Sequence, residues 1–256
     1  MEPSPELREY IQDIGKRVVA IQQRLVDSEE DNMLEVSSDG RKAALDTRLV
    51  DPRCSNMGPP RSAPPKTYWP ASTKYTKIAS TPTRKPAYPD PVPGALQLVF
   101  CDFGTPSDRW NVYGEVKDQL RRRGVPEHMV RFFHEAKNEN EKGRLFAAGR
   151  SGQVAVLMGS TSKLGVGTNI QKRAVHLADM DAPWRPSDVE QRPGRILRQG
   201  NQNSEVRISQ VVTKESFDSF MWQGPEQKSR FINQIMRGRL DVREIEDIGD
   251  NTLNFA

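Results

Sequence analysis

Hydrophobic and polar positions along the chain fall into three regimes. From Pro5 to about Asp27 the apolar residues Leu7, Tyr10, Ile11, Ile14, Val18, Ile21 and Leu25 recur at steps of three and four, which predicts one amphipathic helix. Asn32–Val36 reads as a short strand, Ser37–Gly40 as a turn or helix N-cap, and Arg41–Val50 as a helix. Regular patterning then stops until Gly94. Beyond it, short apolar runs alternate with helical stretches. Strands are expected at Leu96–Phe100, Val130–Phe133, Val154–Met158, Val175–Leu177 and Val206–Val212, rich in the Val, Leu, Ile and Phe of buried parallel strands. Helices are expected at Trp110–Arg123, Glu139–Gly149, Ser187–Arg198 and Ser216–Arg237, with Gly124, Gly149 and Gly200 as C-terminal stops. That alternation predicts an α/β fold with a doubly wound, mostly parallel sheet and flanking helices, preceded by an N-terminal helical segment.

Composition explains the gap between the flanks. Eleven of the nineteen prolines lie between Pro52 and Pro93, where seven Lys or Arg face the single acid Asp90. Residues 52–93 therefore read as a disordered basic linker, either a tether that brushes nucleic acid or plain solvated charge. The expected division is a helical segment 1–51, the linker 52–93, an α/β lobe 94–215 and a helical extension 216–256. Over the whole chain, 38 basic residues nearly match 34 acidic ones, so the net charge of +4 permits a polyanionic partner without demanding one. Cys54 and Cys101, with three scattered His, supply neither a disulfide framework nor a metal cluster, and a reducing, cytoplasmic setting is expected. No apolar run reaches membrane-spanning length, so no membrane partner is expected.

Two stretches carry candidate chemistry. GSTSKLGVGTNI, residues 159–170, directly follows the strand VAVLM, at the carboxyl end where open α/β sheets bind ligands. It is either a phosphate-approaching loop or simply a tight turn, since it matches neither a dinucleotide fingerprint nor a P-loop. In DVEQRPGRILRQGN, residues 188–201, a continuous helix would put Gln191, Arg195 and Arg198 on one face. Such a face is either solvated or a fork for phosphate, in which arginine donors neutralise a transferring phosphoryl group.

Together the two stretches resemble motifs V and VI of superfamily 2 helicases, in the branch close to Swi/Snf-type DNA translocases. STSKLGVGTNI resembles motif V, DMDAPWRPSDVEQ resembles the Asp-x-x-Trp-x-Pro-x-x-x-x-Gln run that leads into motif VI, and Q-x-x-G-R-x-x-R is the core of motif VI. LQLVFCDFGTP, residues 96–106, sits where motif IV would be. The resemblance covers about residues 94–222 and implies a RecA-like C-terminal helicase lobe. The strings DNMLEVSSDGRKAALDTRLVDP, RWNVYGEV, FFHEAKNENEKGRLFAAGRSGQVAVL and FINQIMRGRLDVREIEDIGD extend the likeness to the large helicase proteins of phages and mobile elements, some fused to adenine-specific DNA methyltransferases. Neither N-P-P-[YF] nor D-P-P-[YF], the methyltransferase tetrapeptides, occurs.

Carried over position by position, the resemblance implies that Arg195 and Arg198 are catalytic arginine fingers and that Gly167, Asn169 and Gln191 approach nucleotide. Ser160, Thr161 and Lys163 are implied to contact the DNA backbone. Trp184 is either a stacking platform or a buried anchor, and His134 reads as structural. The resemblance also implies a helicase ATPase, with DNA and a first RecA-like lobe as partners. ATP and Mg²⁺ would be bound only when that first lobe completes the cleft, because the sequence holds no G-x-x-x-x-G-K-[ST] and no D-E-x-[HD] box. Alone, the chain is expected to bind no cofactor or metal and to be inactive. The alternative is a non-catalytic DNA-binding or interaction module, the remnant of a decayed helicase gene.

Overall fold

A computed structural model describes residues 2–27, 29–51, 95–164 and 169–222. The expected linker, Gly167 and nearly all of the expected C-terminal extension lie outside the described residues. The chain divides into two compact units, Met1–Gly58 with Val212–Ala256, and Pro59–Val211.

In the first unit, helix α1 (Pro5–Gln22) starts at Ser4, whose hydroxyl accepts the Leu7 N–H at 3.2 Å, and buries Leu7, Ile14 and Val18. It stops short of the expected Asp27 because Arg24 turns left-handed (φ 56°), and Leu25 is left exposed. Residues 32–36 form no strand. Asn32 instead caps helix α2 (Met33–Leu45), its side-chain oxygen accepting the Leu34 and Glu35 N–H groups at 3.1 and 3.0 Å. The expected turn at Ser37–Gly40 is accordingly the middle of α2, and the helix expected to reach Val50 ends at Leu45. The Arg17 guanidinium pairs with Asp31 at 2.7 Å and Asp39 at 3.1 Å, tying α1 to the turn and to α2.

In the second unit, strands β1 (Leu96–Phe100), β2 (Val130–Phe132), β3 (Val156–Gly159), β4 (Ala174–Asp179) and β5 (Arg207–Gln210) form one sheet in the order β2-β3-β1-β4-β5, with every pair parallel. Helices α3 (Val112–Arg122), α4 (Glu139–Ser151), α5 (Thr161–Leu164) and α6 (Pro186–Gln191) lie between them in sequence. β1 runs as expected and is buried throughout, whereas β5 is shorter than expected and largely exposed at the sheet edge. One face of the sheet packs Leu96, Leu98, Phe100, Leu157 and Leu177 with Leu145 of α4, Ile170 and Ile196. Gly149 does not end α4: it lies inside the helix, close against Leu96 and Ile170, and Gly152 takes the left-handed stop. One buried polar chain crosses three strands, from Gln97 Oε1 to His176 Nδ1 (3.1 Å) and from His176 Nε2 to the Ser209 hydroxyl (3.0 Å). Burial, with Arg207 nearby, holds the His176 pKa down at about 4.

The helix expected over Ser187–Arg198 is broken. Pro193 cannot donate to an i→i−4 bond, so α6 ends at Gln191 and a 3₁₀ turn, Pro193–Arg195, follows. Gln191, Arg195 and Arg198 therefore do not share one helix face. Back in the first unit, helix α7 (Phe217–Met221) is capped by Ser216 and packs so closely on α2 that a Cβ at Gly40 would lie 2.6 Å from the Phe217 ring.

Candidate functional site

The carboxyl ends of β1, β3 and β4 bring Asp102, Thr161, Asp179 and Asp181 together, and Arg192 enters among them from the end of α6. Its side chain is among the largest fully buried ones, and all three guanidinium nitrogens are engaged. Nε donates to Thr161 Oγ1 at 2.9 Å. Nη1 donates to Asp179 Oδ1 at 2.9 Å and to the Asp181 carbonyl at 2.8 Å. Nη2 donates to Asp102 Oδ2 at 2.9 Å, Thr161 Oγ1 at 2.7 Å and Asp181 Oδ1 at 3.2 Å. The guanidinium carbon stands 5.2 Å from the centre of the Phe100 ring.

The acceptors are held as firmly. Asp181 Oδ2 accepts the N–H groups of Asp102 and Phe103 at 2.5 and 3.1 Å, and Asp102 Oδ1 accepts the Thr161 N–H at 2.6 Å. The Thr161 hydroxyl donates to Asp102 Oδ2 at 3.0 Å while accepting from Arg192, which uses its whole capacity. Burial works against charge on Arg192, but Asp181, Asp179 and Asp102 more than offset it and leave the guanidinium firmly protonated. Burial likewise pushes Asp179 up to about 6, with Arg192 pulling the other way. Sequence reasoning missed Arg192. The available signal was three aspartates just past the ends of apolar runs, which need a cation once those runs become neighbouring buried strands.

The residues singled out from sequence fall around this cluster. Arg195 is buried at 8% exposure, its Nε meets no partner, and no ion pair reaches it among the described residues. Burial, and then the nearby Arg198 charge, lower its pKa. Arg198 and Gln191 are exposed. Asn169 is exposed, and its carbonyl accepts from Arg150 at 2.9 Å. Ser160 is buried with its hydroxyl 3.1 Å from that of the exposed Ser162, and Lys163 is exposed. Gly159 ends β3 where a Cβ would come within 2.7 Å of Leu164, so this loop requires glycine for its close turn. Trp184 is half-buried. His134 stacks edge-on against Tyr113 at 5.3 Å with Nδ1 unbonded, and burial followed by Lys163 lowers its pKa. Among the described residues no cluster of His, Cys, Asp or Glu is arranged to hold a metal ion. No described helix is long and apolar enough to cross a membrane.

The parallel sheet with its flanking helices is RecA-like, and residues 93–200 match the family model of the helicase conserved C-terminal domain. The second unit therefore resembles a helicase conserved C-terminal domain over that range. Similar solved structures include the C-terminal part of the Fun30 ATPase domain, at 18% identity and a TM-score of 0.44, covering 59% of this chain and 48% of that one. Another is the E. coli DEAD-box protein SrmB bound to regulator of ribonuclease activity A, at 18% identity and a TM-score of 0.36, covering 47% of this chain and 63% of that one. The chain thus spans about half the length of the first and under two thirds of the second. No curated protein matches it.

Proposed function

We propose that the second unit is the C-terminal lobe of an ATP-dependent DNA translocase and supplies arginine fingers to nucleotide held by a separate P-loop lobe. The observation that carries this reading is Arg195, a buried guanidinium with no ion pair among the described residues, whose neighbour Arg198 adds a second positive charge. A buried charge left unpaired is costly, and here a phosphate arriving across a cleft would offset that cost. Gln191, Gly167 and Asn169 complete the nucleotide-facing set. Ser160 and Lys163 take the DNA backbone, with Thr161 supporting the loop from beneath because its hydroxyl is already committed to Asp102 and Arg192.

In this reading ATP and Mg²⁺ are held by the P-loop lobe. The chain's residues orient and neutralise the γ-phosphate in the transition state, where preorganised donors have their largest effect. The setting is cytoplasmic, and the longer strings quoted above favour a helicase of the phage and mobile-element kind. Phosphate release in the presence of DNA tests it. The chain alone should turn over below about 0.1 s⁻¹, far under the usual enzyme range of roughly 1–10³ s⁻¹. Addition of a first lobe bearing a P-loop should raise turnover and make it DNA-dependent. DNA binding with no turnover in the completed pair would replace this reading with a non-catalytic DNA-binding module.

A further inference from the structure

We propose that Arg192 is a positioning residue that relays nucleic-acid contact at the Ser160–Lys163 loop to the Arg195–Arg198 segment. The inference rests on the proposed function and adds to it a route from one of its sites to the other.

The route is continuous in hydrogen bonds. α5 begins at Thr161, and the carbonyl of Ser160 accepts the N–H groups of Lys163 and Leu164 at 3.1 and 2.9 Å, so a pull on Lys163 moves this single turn as a unit. Thr161 is joined to Arg192 by two bonds to its hydroxyl, at 2.9 and 2.7 Å. On the far side, the Arg192 carbonyl accepts the Arg195 N–H at 3.0 Å, and the Pro193 carbonyl accepts those of Ile196 and Leu197 at 3.0 and 2.9 Å. Pro193 fixes its own φ, and Ile196 is fully buried. Arg192 and Arg195 therefore belong to one stiff turn.

The contacts of Arg192 also divide into two sets. Asp179 Oδ1, Asp181 Oδ1 and the Asp181 carbonyl hold it to the end of β4. Thr161 Oγ1 and Asp102 Oδ2 hold it to the ends of β3 and β1. A loop displacement that breaks the second set would leave the first intact, so the guanidinium would stay held at β4 while its hold on the loop is released. An element that contacts at both sites can bias is what physical coupling between them requires. A mere structural staple would stabilise the lobe equally whether or not nucleic acid is bound.

Amide hydrogen exchange on the full chain, with and without a short single-stranded oligothymidylate, separates these cases. In the wild-type chain the oligonucleotide should slow exchange over residues 160–164 and also alter it over 194–198. In Arg192→Lys, whose single ammonium cannot span both sets, the first effect should remain and the second should fall by about threefold or more. If Arg192→Lys does not fold by circular dichroism, Asp179→Asn, which weakens the β4 set without touching the loop, should likewise reduce the effect at 194–198. An effect at 160–164 with none at 194–198 in the wild-type chain overturns the relay and leaves DNA binding standing. An effect at 194–198 that survives in the folded variant overturns the role of Arg192. No effect at either segment overturns the DNA-binding reading and the relay with it.

Discussion

Arg192 and Arg195 lie three residues apart, carry the same guanidinium and are both buried, but they are used in opposite ways. Arg192 has all three nitrogens engaged by three aspartates, a threonine and a carbonyl. Arg195 has its Nε unbonded and no ion pair among the described residues. Pro193 creates the difference by ending α6 at Gln191 and opening a 3₁₀ turn between them, so that one head drops among the strand ends while the other is carried on the tight turn. Identical chemistry in one short segment is thus divided between a guanidinium engaged at every nitrogen and one whose Nε is unbonded, and burial alone does not tell the two apart.

The largest effect that probes this division is catalytic. With a P-loop lobe supplied, Arg195→Ala should lower kcat on the order of 10²–10⁴-fold, and Arg195→Lys nearly as much, because the planar fork is lost. KM should move little, and retention of more than about a third of wild-type kcat would remove Arg195 from the catalytic role. Next comes stability. Arg192→Ala leaves three carboxylates without their cation and should cost about 3–5 kcal/mol in denaturant unfolding, whereas Arg195→Ala should stay within about 1 kcal/mol. Equal losses would erase the contrast.

A pH series then isolates Asp179 from His176. Between about pH 4 and 6 the folded Asp179 keeps a proton that the unfolded chain has released, so this group makes stability fall as pH rises. His176 acts with the opposite sign. Its folded pKa of about 4 means that the unfolded chain binds the extra proton up to about pH 6.5, so this group makes stability rise with pH. Relative to wild type, Asp179→Asn should steepen the rise of stability over this window and His176→Gln should flatten it, each by up to about 1.4 kcal/mol per pH unit. Unchanged slopes would show that neither group titrates as described. The smallest effect belongs to the loop. Lys163→Ala should reduce the salt dependence of oligonucleotide binding by about one phosphate contact in the slope of log K against log salt, and an unaltered slope would remove Lys163 from the interface.

Much of the fold was legible because buried parallel strands write themselves as largely apolar runs, as LQLVF does at β1 with Gln97 its single polar residue. α2 was not, because Leu34 and Val36 flank Glu35 in a strand-like alternation, while the decisive feature is local: Asn32 caps two backbone N–H groups. The break at Pro193 was readable from the proline itself, but the spacing of Gln191, Arg195 and Arg198 suggested a continuous helix. At the candidate site, Arg195 and Arg198 stood out through their motif, whereas Arg192 acquires its meaning only once residues 102, 161, 179 and 181 converge on it. Four positions from three separate strand ends leave no spacing rule in one dimension.

The strand order has a consequence for how this chain is made. β1 has no sequence neighbour as a partner; it pairs with β3, which begins at Val156, and with β4, which begins at Ala174. At a synthesis rate of roughly 5–20 residues per second, the five residues of β1, four of them apolar, leave the ribosome several seconds before either partner exists. During that interval the future centre of the sheet is a short, uncharged, β-prone segment with both edges bare. A trigger-type or Hsp70-type holdase would find its natural client there, and yield on expression should depend on chaperone supply more than on the stability of the finished lobe.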